Sequence, residues 1–416
     1  MFLPSVFRHP AFATMWIGRL LTNIATMLQS IAIGWLVYSI ARLTHDEQHS
    51  MFLVGMVGLA QFVPMFALAL VAGEAADRYD RRAILFYCGL LQASCAAAFT
   101  LLALQPHVSL PILFIVAGFF GVSRTFGMPA GASIVPALVA RDELPKAIAC
   151  NSLTVQVGMI LGPWLGGMLC AITPALANAA SCVLYLVAAV AWLFLLKMPV
   201  VAKPTNGHDA ARLTMIREGL AHLWSSKVVL GAISLDLFAV LLGGVTALLP
   251  AYAKDILNIG PEGFGYLRSA FALGAGLTTL SLALKPIKRN AGKWMLGGVA
   301  VYGVATLCFA ISREPGLSML ALAVAGAADS ISVFMRQNLV QIVTPDAMRG
   351  RVSAVSSLFI SASNELGEFE SGVAARFFGV VGSAVFGGVG SVVVTTLWSK
   401  IFPALRKADH LNPTKN

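Results

Sequence analysis

Apolar residues run through this chain in long unbroken blocks, each closed by a short cluster of charged or turn-forming residues. The blocks fall at 11–40, 51–73, 83–104, 110–138, 147–171, 174–196, 227–253, 262–284, 294–312, 316–343, 352–377 and 381–401. About 20 apolar residues in a helix cross the hydrocarbon of a bilayer, and every block is near or above that length. The apolar runs are continuous and do not alternate with polar positions, which excludes a membrane β-barrel. The pattern therefore predicts an all-α membrane protein of twelve transmembrane helices.

The longest connection, 197–226, divides the chain into an N-terminal half, 1–196, and a C-terminal half with a short cytoplasmic tail, 227–416. Its first part, Lys203 to Asp209, is polar. Its second part, Arg217 to Trp224, places Leu220, Leu223 and Trp224 on one side and predicts an amphipathic surface helix. Charges repeat between the halves. Lys285, Lys288, Arg289 and Lys293 between blocks eight and nine stand where Gly73 to Arg82 stand between blocks two and three. Arg141 to Lys146 after block four corresponds to Pro345 to Arg351 after block ten. Two six-span halves of this kind read as parallel repeats.

Composition narrows the class. The chain is 58% hydrophobic and 12% charged, against about 25% charged in soluble domains. A net charge of +10 would suit nucleic acid, but the basic residues sit in short loops between apolar blocks, where they act as topology signals. Of the 29 Lys and Arg, only Arg42, Lys254 and Arg313 fall on the side opposite the N-terminus, and Arg19, Arg124, Arg268, Arg336 and Arg376 fall within or at the ends of blocks. Both termini are thus expected in the cytoplasm, with the first block retained as a span. Cys88, Cys95, Cys150, Cys170, Cys182 and Cys308 lie singly in apolar stretches, so neither disulfide nor metal is expected. No nucleotide-binding or catalytic motif is present, and neither enzyme activity nor a cofactor is expected.

The segment GEAADRYDRR, Gly73 to Arg82, is the charge-dense turn between blocks two and three. Its physics calls for a small residue where two helices close up (Gly73), a carboxylate able to sit at a neighbouring helix N-terminus (Asp77), and arginines to pair and anchor (Arg78, Arg81, Arg82). The spacing G-x-x-x-D-R-x-x-R-R at this place resembles the signature loop of the major facilitator superfamily of secondary transporters, although Asp80 stands where that family usually has glycine. In block five, Gly158, Gly162 and Gly166 recur every four residues and put a flat stripe on one helix face, while Pro163 bends the helix and Gly167 follows. This block resembles the antiporter motif of the same superfamily, associated there with exporters. The resemblance implies the major facilitator fold and a gate at the cytoplasmic face. There Asp77 would meet Arg349 and Arg351 in one state and release them in the other.

Charges inside the blocks carry the candidate chemistry, because an ionisable group in a bilayer is costly and is seldom kept without a partner. They are Arg19, Arg124, Asp236, Arg268, Asp329, Arg336, Glu365, Glu368 and Glu370. The resemblance implies that blocks one, four, seven and ten line a central cavity. Asp329 and Arg336, seven apart, share a helix face. Glu365 and Glu368 are one turn apart, close enough for one carboxyl to hold a proton near neutrality. Asp236, Asp329, Glu365, Glu368 and Glu370 are therefore candidates for proton coupling. Arg19, Arg124 and Arg336 are candidates for substrate or charge pairing. A structural ion pair between spans is the alternative for any single one. Gln29, Trp35, Gln61, Gln156, Asn338 and Gln341 also lie in blocks and either contact substrate or, more commonly for such residues, join helices.

Three further stretches, Asp142 to Ser152, Met348 to Val352 and Asn364 to Gly372, resemble the branch of the superfamily that contains the bacterial enterobactin exporter. That resemblance runs over nearly the whole chain. It implies a monomeric, proton-driven exporter of a siderophore or drug-like amphipathic compound in the bacterial inner membrane, with no nucleic-acid partner. The alternatives are an importer or facilitator of a small organic solute, and a non-transporting receptor or scaffold of the same fold.

Overall fold

Proline and small polar residues punctuate the chain where the apolar blocks begin. In the computed structural model, which describes residues 5–106, 108–198, 212–287 and 289–408, every regular element of substance is helical. In order these are α1 (Pro10–Ala41), α2 (Glu47–Arg78), α3 (Arg81–Ala103), α4 (Leu110–Ile134), α5 (Leu144–Ile172), α6 (Pro174–Leu196) and α7 (Arg212–Ser225). They continue with α8 (Lys227–Leu242), α9 (Leu249–Ala251), α10 (Gly260–Leu284), α11 (Ala291–Ile311), α12 (Pro315–Val343), α13 (Asp346–Ile401) and α14 (Pro403–Arg406). Pro10, Pro111, Pro145, Pro174, Pro261 and Pro315 stand in first turns, where the missing N–H costs nothing and φ is already helical. Thr173 and Ser226 cap the next helices with their side-chain oxygens.

Eleven of these stretches are long and apolar enough to cross a membrane, and the last contains two crossings. Within α13, Gly379 has φ 75°, a left-handed conformation open to glycine. The chain folds back there. Ser383 Oγ donates to the Ser371 carbonyl at 3.0 Å across a separation of 12 residues, which a straight helix would hold about 18 Å apart. Blocks 352–377 and 381–401 are therefore separate spans joined at a single residue, and the protein is a multi-pass, all-α membrane protein of twelve spans.

Two local expectations need correction. The charged segment Gly73 to Arg82 is mostly helix, since α2 runs through Arg78 and only Tyr79 and Asp80 separate it from α3. Glu74, Ala75, Ala76 and Asp77 carry nothing that stops a helix, and Gly73 alone is insufficient to do so. Block 227–253, read as one continuous helix, breaks after Leu242 and continues through a 3₁₀ turn (Val245–Leu248), α9 and a π-helical turn (Tyr252–Ile256). Gly243 and Gly244 sit at the break, where a side chain on Gly243 would collide with the ring of Tyr302, whose hydroxyl donates to the Gly243 carbonyl.

The helices gather into two compact units. One comprises 1–43, 60–209 and 260–269, the other 44–59, 210–259 and 270–416. In the first, α1 packs against α5 and α6, and α3 packs against α4 and α6. Its core includes Phe12, Met15, Trp192 and Leu195 at one end, and Ala25, Ala96, Phe120 and Tyr185 further along. In the second, α8 and α11 pack on α13, and α11 packs on α12, around Ile233, Leu235, Met295, Met335 and Val352. The connecting helix α7 lies on α13 in the same unit. It buries Leu223 and part of Leu220 and leaves Trp224, on the same side of the helix, 70% exposed. The polar stretch from Lys203 to Asp209 lies outside the described residues.

Candidate functional site

In the second unit the deepest charges converge. Arg336 Nη2 on α12 lies 3.3 Å from Asp236 Oδ2 on α8, and both side chains are nearly inaccessible, at 3% and 8%. Asp329 lies two turns before Arg336 on the same helix and is half-buried. One guanidinium and two carboxylates thus lie on α8 and α12 of one bundle, and among the described residues Asp236 is the carboxylate at ion-pair distance from Arg336. The group is under-satisfied within the protein: Arg336 Nε and Ser332 Oγ are buried with no hydrogen-bond partner among the described residues, an uncommon condition for buried donors. Ser332 stands between Asp329 and Arg336 on α12. Close approach of α11 shapes this region, since a Cβ on Gly298 would lie 2.8 Å from the Ala328 carbonyl oxygen and 3.2 Å from the Ser332 amide nitrogen.

A second acidic group lies on α13. Glu365 is buried, and Glu368 and Glu370 are half-buried. The first turns of α2 press against them. A Cβ on Gly58 would sit 3.0 Å from the Glu365 carbonyl oxygen and 3.1 Å from Glu368 Cβ, and Gly55 opposes Gly372 in the same way at 3.0 Å. Glu365 and Glu368 therefore share the face of α13 that meets α2. Glu370, interacting with its neighbour Ser371, lies beyond that Gly58 contact.

In the first unit, Arg124 on α4 donates to Gln61 Oε1 on α2 at 2.9 Å. The helices are close there because Gly121 leaves room for the Gln61 backbone, 2.6 Å from where a Cβ would stand. Tyr185 on α6, hydrogen-bonded to Thr26 Oγ1 at 3.2 Å, feels the charge of Arg124. Arg19 on α1 reaches α4 at Gly131, where any side chain would displace its guanidinium. Its Nε is buried with no hydrogen-bond partner among the described residues. Arg268, on the part of α10 that belongs to this unit, is half-buried. Of the other polar residues of the blocks, Gln29 joins α1 to α6 by donating to Asn178 at 2.7 Å, and Asn338 donates back to the Phe334 carbonyl of its own helix at 3.0 Å.

The glycines of α5 make the tightest helix contact in this unit. Would-be Cβ atoms on Gly158, Gly162 and Gly166 meet Asn23, Met27 with Ile24 and Leu28, and Ile31 with Leu28, all on α1. Both helices advance four residues per contact, so they run side by side in the same direction. Gly167 faces α10 instead, where a Cβ would lie 2.8 Å from the Gly265 Cα, and a Cβ on Gly265 would lie 2.6 Å from the carbonyl oxygen of Pro163. Ser269 Oγ adds a hydrogen bond to the Ile160 carbonyl at 3.0 Å.

At the turn after α2 the arginines act on helix ends. Arg81 donates to the carbonyls of Ala76 at 3.1 Å and Ser133 at 2.9 Å. Arg82 Nη1 donates to Leu195 and Met198 at 3.1 and 2.8 Å. Both thus place positive charge at C-terminal carbonyls of α4 and α6, the favourable end of the dipole. Asp80 caps α3 by accepting from the Arg82 amide at 2.9 Å and also takes the Arg82 guanidinium at 2.6 Å. The hydrogen bond from Arg82 holds the Asp80 carboxyl below the usual carboxylate range. The carboxylate that caps α3 is Asp80; Asp77 and Arg78 are exposed, and Arg78 pairs with Glu74 at 3.3 Å within α2. In the second unit, Arg351 pairs with Glu218 of α7 at 2.6 Å. Arg349 donates to the Gln341 carbonyl at 3.2 Å.

Sequence reasoning passed over His45 and His49, which flank the start of α2 and stack on one another with ring centroids 4.4 Å apart. The signal was present as a pair of histidines four apart beside a helix start, but it lay outside the apolar blocks. Among the described residues no group of His, Cys, Asp and Glu is arranged to hold a metal ion.

Comparison with known proteins agrees with this architecture. The family model described as transmembrane secretion effector matches residues 3–415. The enterobactin exporter EntS of Escherichia coli O81 (strain ED1a) is 26% identical over 406 residues, covering 96% of this chain and 93% of that protein. The protein of the same name from Shigella boydii serotype 18 (strain CDC 3083-94 / BS512) matches with the same identity and coverage. Among solved structures, a D-xylose-proton symporter superposes with TM-score 0.73 at 14% identity, covering 97% of this chain and 99% of that one. The inward-open xylose transporter XylE from E. coli gives TM-score 0.69 at 14% identity, covering 95% and 96%.

Proposed function

The chain belongs to the transmembrane secretion effector family of major facilitator transporters, and from that premise we propose that it exports a small amphipathic organic compound across the bacterial inner membrane by alternating access. The cargo is a siderophore or a drug-like molecule, as the name borne by its EntS relatives suggests. The driving force is the proton gradient, the termini are cytoplasmic, and the working unit is a monomer.

One observation carries the proton coupling. Asp236 is paired with Arg336 inside the bundle, and Asp329 stands two turns from Arg336 on the same helix. With both carboxyls ionised the group bears one uncompensated negative charge in an apolar surrounding, a costly state. Binding one proton restores neutrality, and a cationic group of the cargo placed beside the carboxylates would restore it in the proton's stead. Proton and cargo therefore compete for one charge balance, which is the requirement for antiport. Glu365, Glu368 and Glu370 on α13 are the second candidate carriers. Gly73, Asp77, Arg78, Arg81, Arg82, Arg349 and Arg351 would serve the gate, and the Gly158 to Gly167 stripe the seal.

The test is proton flux in everted membrane vesicles carrying the protein, read with a pH-sensitive dye while siderophores and lipophilic drugs are added. Cargo-dependent proton efflux from the vesicle lumen, lost in Asp329→Asn and Asp236→Asn, supports coupled export. Cargo movement that continues unchanged with the gradient collapsed sinks the coupling, and counterflow showing net uptake into the cell sinks the direction.

A further inference from the structure

A cavity of about 470 Å³ opens where the loop before α2 meets the α13 hairpin, lined by His45, Asp46, Gln48, His49 and Arg376. It lies at the opposite end of α2 from the Asp80 turn and is separate from the Asp236, Asp329 and Arg336 group. Arg376 precedes the left-handed Gly379 by three residues, and Gln48 Nε2 approaches that glycine at 3.8 Å from a would-be Cβ. The guanidinium of Arg376 sits over the ring of Phe52, 5.2 Å from its centroid, and its Nη1 lies 2.6 Å from His49 Nδ1.

Chemistry assigns the proton positions. A guanidinium only donates, so His49 Nδ1 accepts, and His49 is neutral with its proton on Nε2. The remaining N–H groups of Arg376, the His49 Nε2–H, the Gln48 amide and the His45 ring are donors or can become so. The one carboxylate of the lining, Asp46, is already used as the cap of α2, accepting from the His49 amide at 2.8 Å. His45 Nδ1 is paired with Thr44 Oγ1 at 2.7 Å. The charged groups acting on His49 are His45 and Asp46 from its own turn and Arg376 from α13; Glu47 and Arg313 act on Tyr252. The cavity is thus rich in donors and poor in free acceptors.

We propose that this cavity is a proton-dependent binding site for the carboxylate of a soluble organic acid. Protonating His49 sets donor against donor and charge against charge at the Arg376 contact, and a carboxylate inserted between them accepts from both. The stacked His45 ring, parallel to His49 within 7°, gains from the same anion when it too is charged. Binding and protonation are then linked, so each strengthens the other by the same factor. With the termini in the cytoplasm, as proposed above, the site faces the extracytoplasmic side. It stands on its own geometry, whatever the direction or coupling of transport.

The experiment is equilibrium binding of radiolabelled benzoate to the purified full chain in detergent, at pH 5.5 and pH 7.5. Benzoate should bind more tightly at the lower pH, by roughly tenfold or more, within what one linked proton allows across that interval. Arg376→Gln should abolish binding, and His49→Gln should retain weak binding with the pH dependence flattened. Variants are compared only where size-exclusion shows a single monodisperse species. Should Arg376→Gln fail that criterion, Arg376→Lys takes its place and should bind at least several-fold more weakly. Equal binding of neutral benzamide, or undiminished binding in a well-behaved Arg376 variant, would overturn the proposal. Displacement of benzoate by phosphatidylglycerol but not phosphatidylcholine would overturn the assignment to a soluble acid in favour of a lipid headgroup.

Discussion

Replacing Gly162 by alanine tests whether the α5 stripe is a steric seal. The added methyl would lie 2.9 Å from the Ile24 carbonyl oxygen and 3.1 Å from the Leu28 amide nitrogen, with Met27 Cβ nearer still. Two of these neighbours are backbone atoms of α1 and cannot swing aside as a side chain would. Overpacking of this kind costs about 1–3 kcal/mol. The better helix propensity of alanine offsets up to about 1 kcal/mol of it, so a net loss is expected. Gly297 supplies the control, because a Cβ there meets nothing within 4 Å. Gly297→Ala should therefore be neutral or stabilising by up to about 1 kcal/mol from propensity alone. Both variants would be heated in detergent and the surviving monodisperse fraction read by size-exclusion, with the midpoint of loss compared to the parent. The order should be Gly297→Ala at or above the parent and Gly162→Ala clearly below it. If the two variants melt together, α1 yields freely at the contact and the steric argument fails.

Other consequences follow from single side chains. Asp236→Asn removes the carboxylate in direct contact with Arg336 and should cost up to about 3–5 kcal/mol, less to the extent that Asp329 balances the guanidinium in its place; adding Arg336→Gln should then cost less than its own separate loss, and additive losses in thermal denaturation of the double variant would show the pair is not coupled. Asp80 has a folded-state pKa below its unfolded value, chiefly through the Arg82 hydrogen bond. Its charge therefore contributes stability that is present above the unfolded value of about 4 and lost as pH falls through the lower folded one. Asp80→Asn, which keeps a capping oxygen, should be less stable than the parent at pH 7, and the two should converge in melts below about pH 4. A gap that persists into strong acid would mean that the charge is not what Asp80 contributes.

Most of the fold could be read from the chain because a bilayer leaves little choice: a long apolar block has to satisfy its own backbone, and only a helix does so within one segment. Block edges and helix ends agree within a few residues, most closely where a proline starts the helix, as at Pro174 and Pro315. The misreadings have a common cause. Charge was taken as a sign of loop at Glu74 and Asp77, yet neither residue breaks a helix, and α2 keeps its hydrogen bonds past them. At Gly243 and Gly244 the reverse occurred: apolar character hid a break whose reason lies in Tyr302 and in the approach of Gly367 and Ser371, none of them near in sequence.

The candidate site was legible one helix at a time and no further. Helical spacing put Asp329 and Arg336 on one face of α12, but the partner that balances them, Asp236, comes from α8, and no periodicity links positions 236 and 336. Charge balance inside a bundle is a property of several helices together, and it decides what each carboxylate can do. Asp236 is paired with a buried Arg336, while Asp329, two turns along α12, has no ion pair of its own among the described residues. Asp80, equally acidic, is engaged by Arg82 at the end of a helix. The difference is the neighbouring cation and its accessibility: Arg336 is sealed in at 3% exposure, where an unbalanced charge cannot be screened by water. A carboxylate at the Asp80 turn can lose its partner and be solvated, whereas Asp236, sealed in beside Arg336, can lose its partner only where another charge replaces it.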